Sequence, residues 1–152
     1  PCSADFTRSV PPEIFMLSIR PVPMSGSVAE DGSDPLLPLR VLAIVENGAT
    51  AGGGEEVEAV IDTGFDGELT LPKKTIRQLG YPYAGSAGGT LADGTEVQFD
   101  YHEGRALWHG HVRPVAVLAA EGQPLVGMAL LRGSRLAVDA VPGGQVLIEE
   151  RA

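Results

Sequence analysis

Glycine and proline set the scale on which this chain can fold. Twenty glycines and twelve prolines are spread through 152 residues and leave only short apolar runs between them. Runs of that length suit strands joined by turns, because a helix needs a longer uninterrupted stretch to present an apolar stripe. The clearest exception is the string PKKTIRQLG, with Pro72 where a helix can open and Gly80 where it can close. The expected fold class is therefore all-β, a barrel or sandwich with one or two short helices. The length suits a single domain.

The chain divides by composition. Residues 1–38 carry seven of the twelve prolines. They read as an N-terminal extension or linker, with 25–38 a polar loop and one candidate strand at 14–19 (IFMLSI). From residue 39 to 152 the pattern is regular. Strands are expected at 40–46 and 57–61, separated by a glycine-rich turn at 47–55. A half-buried strand follows at 68–71, then the helix at 72–80. A hairpin built on Asp93-Gly94 occupies 88–100, with one or two strands over 106–118. A helical turn at 127–132 and a final hairpin across a Pro-Gly-Gly turn complete the chain.

Charge narrows the partners. Eleven basic residues face twenty acidic ones, a formal −9, and only Lys73 and Lys74 are lysines. A chain this acidic, without a basic stripe, repels phosphate backbones and anionic lipid, so neither nucleic acid nor membrane is an expected partner. No apolar run approaches the roughly 18 residues of a membrane span, and no secretory signal pattern is visible. The lone cysteine, Cys2, excludes an intrachain disulfide and fits a reducing, cytoplasmic setting. His109 and His111 fall on one face of an expected strand, but no third ligand is apparent, so no metal is expected.

One string carries chemistry: VEAVIDTGFDGELTLP, in which Asp62-Thr63-Gly64 directly follows an apolar strand. An acid at a strand end, followed by a small hydroxyl and a glycine, forms a tight loop. Such a loop presents the carboxylate while its own backbone holds it. By itself Asp-Thr-Gly is an ordinary turn tripeptide. Two further features follow it in order. One is the hairpin tip Leu91, Ala92, Asp93, Gly94 and Thr95. The other is the triplet Leu125, Val126, Gly127, leading into GMALLRG.

This order resembles the retropepsin-like aspartic proteases, in particular their small single-domain prokaryotic members, over residues 39–150. The resemblance implies a closed acid-protease β-barrel. It also implies an aspartic endopeptidase that needs no cofactor and cleaves an extended polypeptide. Two aspartates would share one proton across a held water, since like charges about 3 Å apart cannot both ionise. With one motif per chain, the second aspartate must come from a second copy, so the resemblance implies a homodimer. Asp62 would be catalytic. Thr63 would bond across the dimer, Gly64 would let the backbone approach the dyad, and Gly127 would pack beneath the loop behind Leu125 and Val126. Residues 91–95 would form a flap over the substrate, with Phe65 beside it.

The sequence departs from retroviral-type members at two places. Bulky Phe65, followed by Asp66, stands where a small residue is usual, and Met128-Ala129 opens the helix where arginine is usual. These departures motivate the alternative reading, a non-catalytic dimeric peptide-binding module on the same fold.

Overall fold

The computed structural model describes residues 22–151 apart from Glu46, and for residues 51 and 52 only the backbone. Cys2 and the candidate strand at 14–19 lie outside the described residues. Of the described residues 56% are strand and 9% helix.

Ten strands and two helices follow one another along the chain: β1 (Met24–Val28), β2 (Pro35–Ile44), β3 (Thr50–Ile61), β4 (Leu69–Leu71), α1 (Lys73–Leu79), β5 (Tyr83–Thr90), β6 (Glu96–Trp108), β7 (His111–Ala119), β8 (Leu125–Val126), α2 (Met128–Leu131), β9 (Ser134–Val138) and β10 (Gln145–Glu150). The strands form one sheet in the order β5-β6-β7-β4-β8-β3-β2-β1-β10-β9. Strand β6 pairs a second time, with β2, at Ala106 and Val41. Most neighbours run antiparallel; β3–β8 and β4–β7 run parallel.

Alternation builds the core. Along β2, Leu37, Leu39 and Val41 are buried while Pro38 and Arg40 face solvent, as a strand with one wet face requires. Leu37, Leu39 and Val41 join Ala59 and Ile61 of β3, Val117 of β7, Val126 of β8 and Val146 and Ile148 of β10 in one apolar cluster. Strand β4 is different: Leu69, Thr70 and Leu71 are all buried. It lies between β7 and β8 within the sheet, and both of its faces are covered. The half-buried strand read from its alternation is therefore a central strand.

Other expectations shift for local reasons. The stretch 25–38, read as a loop, supplies β1 and the start of β2. Met24 to Ser27 pair with Gln145 to Ile148, and Val28 with Pro35. The glycine-rich stretch 47–55 is mostly strand, and its turn is confined to the residues after Val45, whose amide bonds Ala49 at 3.0 Å. Gly54 sits in that strand because a Cβ there would overlap the Val41 carbonyl. The helix α1 forms as read, with Pro72 at its N-cap and Gly80 as a left-handed C-cap at φ 75°.

The β5–β6 hairpin is centred on Asp93-Gly94 but has a longer loop than a two-residue turn. The Gly94 amide bonds Leu91 O at 2.9 Å, the Leu91 amide bonds Thr95 O at 2.8 Å, and Gly94 has φ 89°. That is a three-residue loop with a glycine bulge. Asp93 Oδ1 accepts the Thr95 amide at 2.9 Å, and its bonds with Thr95 hold the carboxyl below its usual pKa.

The seam between β2 and β6 is closed by Tyr81. Its hydroxyl lies 2.8 Å from both Leu42 O and Arg105 O. Burial raises the phenol's pKa. No helix among the described residues is long and apolar enough to cross a membrane.

Candidate active site

The parallel pairing of β3 and β8 creates the site. Val60 lies opposite Leu125 and Ile61 opposite Val126, so the two strands end at the same edge. The residues that follow them, Asp62 and Gly127, emerge side by side although 65 positions separate them. The Asp62 amide extends the pairing by one bond, donating to Val126 O at 2.9 Å.

The loop then folds on its own aspartate. Gly64 N–H donates to Asp62 Oδ1 at 2.9 Å, and Phe65 N–H donates to Asp62 O at 3.1 Å. One carboxylate oxygen is thus aimed by the backbone. Gly64 has little room for a side chain, since a Cβ would lie 3.3 Å from that same oxygen. Asp62 is half-buried, and Thr63 and Gly64 are exposed. The Thr63 hydroxyl has no hydrogen-bond partner among the described residues.

Behind the loop, Gly127 touches its far limb. A Cβ on Gly127 would overlap the carbonyl of Gly67 and lie 2.5 Å from Phe65 Cδ2. Gly127 N–H donates to Glu68 O at 2.9 Å, Met128 N–H to Phe65 O at 2.8 Å, and Ala129 N–H to Gly67 O at 3.1 Å. The start of α2 therefore binds the 65–68 backbone with three consecutive amides, orphan donors that every helix start must satisfy. Thr70 braces β8 from the other side, its buried Oγ1 accepting Leu125 N–H at 2.9 Å.

Three residues outside the motif complete the arrangement. Gly67 makes room for the Phe65 ring, whose Cζ would lie 2.5 Å from a Cβ at that position. Glu68 accepts the Arg113 guanidinium at 2.9 Å and the Ala116 amide at 2.8 Å, and Arg113 also donates to Leu130 O at 3.2 Å. The pair ties the loop to β7 and to α2. Gly67 had a legible signal in its short spacing from the motif. The Glu68–Arg113 pair had none, because 45 residues separate its members.

A cleft of about 550 Å³ opens beside the loop, lined by Gly64, Phe65 and Leu125 on one side and by Gly88, Gly89 and Phe99 of the β5–β6 hairpin on the other. The hairpin thus faces the Asp-Thr-Gly loop. The residues of the hairpin that line the cleft are in the strands, not at the tip: Leu91, Ala92, Asp93, Gly94 and Thr95 do not line it. A hairpin tip projects beyond its strands, so the spacing that marks the turn does not mark the lining residues.

The histidines stand apart from this site. His109 is in the β6–β7 turn at φ 49°, and not on a strand face with His111 as the sequence implied. Its Nε2 is bonded to Ser134 Oγ at 2.7 Å. No group of three metal-ligating side chains occurs among the described residues.

These features define an all-β chain with one aspartate held at a strand end, in a loop that lines a cleft through Gly64 and Phe65. Neither protein-family profiles nor curated proteins match the chain. Among solved structures it is similar to a retropepsin-like aspartic protease from Rickettsia conorii, at 14% identity over 86% of this chain and 94% of that one, with a TM-score of 0.46. A score and an identity that low leave the function to be argued from the side chains.

Proposed function

We propose that the chain is an aspartic endopeptidase of retropepsin type that acts as a homodimer in the cytoplasm, with Asp62 of each copy forming a shared carboxylate pair. The observation that carries this reading is the Asp62 loop: a half-buried carboxylate at a strand end, with one oxygen fixed by Gly64 N–H at 2.9 Å, beside a cleft that a hairpin lines on its other side. The strand order with its second β2–β6 pairing supports a closed barrel as the scaffold.

In such a pair one carboxyl keeps its proton while the other takes a proton from the held water. The water attacks the peptide carbonyl, and the protonated partner donates to the carbonyl oxygen. The two apparent pKa values belong to the pair and not to either residue. The exposed, unengaged Thr63 hydroxyl is free to bond the second copy's loop. An extended polypeptide would lie in the cleft beneath the hairpin as an added strand.

A peptide-binding module without cleavage is the second reading, favoured by one observation. The cleft is lined by Gly64 and Phe65, while Asp62 is not among its lining residues. One experiment separates the two. The wild-type chain and Asp62→Asn are incubated with a degenerate peptide mixture across acidic to neutral pH, and products are read by mass spectrometry. The endopeptidase reading expects new termini from the wild type only, with both proteins equally folded and dimeric by sedimentation. Products from both proteins would overturn the assignment of Asp62. Peptide binding without products would establish the module.

A further inference from the structure

A second cleft, of about 440 Å³, lies between the β6–β7 turn and the strand ends of β9 and β10, and its lining has the opposite charge to the molecule. The chain carries −9 overall. Yet three of its nine arginines, Arg113, Arg132 and Arg151, line this cleft against a single carboxylate, Glu150. Arg113 is engaged by Glu68. Arg132 and Arg151 form no ion pair among the described residues. In so acidic a chain, two unpaired guanidiniums in one concave site mark a place where the charge is kept available for something else.

The backbone brings the chain at these residues together. Arg151 N–H donates to Gly133 O at 2.9 Å, and Glu150 pairs with Ser134 at the end of the β9–β10 ladder. Arg132 and Arg151 are therefore fixed on neighbouring stretches of chain. The β6–β7 turn is drawn against them by the bond between His109 Nε2 and Ser134 Oγ. His109 holds φ 49°, a left-handed conformation that costs a non-glycine residue free energy.

The His109–Ser134 bond also leaves a donor free. His109 is 6% exposed, and its Nδ1 is buried without a partner. A buried ring N–H without an acceptor costs more than a buried lone pair without a donor. The favoured tautomer therefore carries its proton on Nε2 and donates to Ser134 Oγ. The Ser134 hydroxyl proton is then available to a group in the cleft.

We infer that this cleft binds a small oxyanion, a phosphate or carboxylate group, through the Arg132 and Arg151 guanidiniums and the Ser134 hydroxyl. The inference does not depend on the peptidase reading, because Asp62 and its loop take no part in it.

The test is a titration of the full chain with inorganic phosphate, and separately with succinate, at constant ionic strength, followed by amide chemical shifts. Phosphate binding with succinate silent assigns a phosphate group, and the converse assigns a carboxylate. The expected result is saturable binding at or below about the millimolar range, with the largest shifts at Gly133, Ser134 and His109. Arg132→Gln and Arg151→Gln should each weaken it about tenfold, the loss expected for one charge-assisted contact. Arg40→Gln and Arg135→Gln, which remove charge outside the cleft, should leave it unchanged. If a glutamine variant fails to fold, Arg132→Lys takes its place and should retain weakened binding, since lysine keeps the charge but not the fork. Absence of saturation with both ions overturns the inference. So does equal weakening by the control variants, which would mean diffuse attraction only.

Discussion

The amide of Asp62 donates to the carbonyl of Val126 at 2.9 Å, and the next residue, Gly127, is in contact with the carbonyl of Gly67 on the far limb of the same loop. The Leu-Val-Gly triplet therefore grips the Asp-Thr-Gly loop from both ends. At φ −102° Gly127 is not required for its backbone conformation; it is required for space. Gly127→Ala should cost about 1–3 kcal/mol, the usual penalty for overpacking, and should lower any Asp62-dependent activity by about a hundredfold through misplacement of the loop. Urea denaturation and peptide cleavage check the two effects separately. An alanine variant of unchanged stability would show that the loop gives way freely.

Glu68 and Arg113 should not be equivalent. Glu68→Ala removes the acceptor of both the Arg113 guanidinium and the Ala116 amide, so two donors lose their partner. Arg113→Ala takes the long 3.2 Å bond from Leu130 O, but leaves Glu68 with the Ala116 amide and gives the freed carboxylate access to water. The expected cost is about 1–2 kcal/mol for Glu68→Ala, toward the lower end for lost hydrogen bonds because both side chains are partly solvated. Arg113→Ala should cost less. Denaturation midpoints of the two variants give the order directly, and the reverse order would contradict the role of Glu68 as the shared acceptor.

Tyr81→Phe should loosen the β2–β6 seam. The one hydroxyl proton is shared between the carbonyls of Leu42 and Arg105, and its loss removes that shared donor, at a cost of about 1–2 kcal/mol. The ring itself is held by Gly104, where a Cβ would lie 2.7 Å from Tyr81 Cε2. Hydrogen exchange should show faster opening at Val41 and Ala106, the residues that pair across the seam. Unchanged exchange there would place the seam's stability elsewhere.

His109 should make the fold sensitive to mild acid. Burial lowers its pKa from the ordinary 6.5; Glu150 opposes that shift, and Arg113 and His111 add to it. The neutral ring is favoured in the folded state, so the unfolded chain binds the proton more readily. Stability is fully present above the unfolded value of 6.5 and declines as pH falls through it toward the lowered folded value. His109→Asn tolerates the left-handed φ and cannot titrate. Its urea midpoint should fall less than that of wild type between about pH 7 and pH 5. Parallel declines would assign the slope to carboxylates.

The sequence by itself determined the kind of fold and the setting of Asp62 at the end of an apolar strand. Spaced glycines and prolines forbade long helices, and the Pro72 and Gly80 caps bounded α1, because these are local effects that act within a few residues. The motif marked Asp62 by its place at the end of an apolar run. What lay beyond local reach was decided by the tertiary structure. Strand β1 is polar and glycine-containing, and is a strand only because β2 and β10 supply its hydrogen bonds. Gly54 belongs to a strand because a backbone passes close by. Glu68 meets Arg113, and Arg132 and Arg151 come to line one cleft, across separations that leave no trace in spacing. The hairpin lines the cleft with Gly88, Gly89 and Phe99 of its strands. Each of these outcomes depends on which chain segments become neighbours, and that is set by burying the whole core at once.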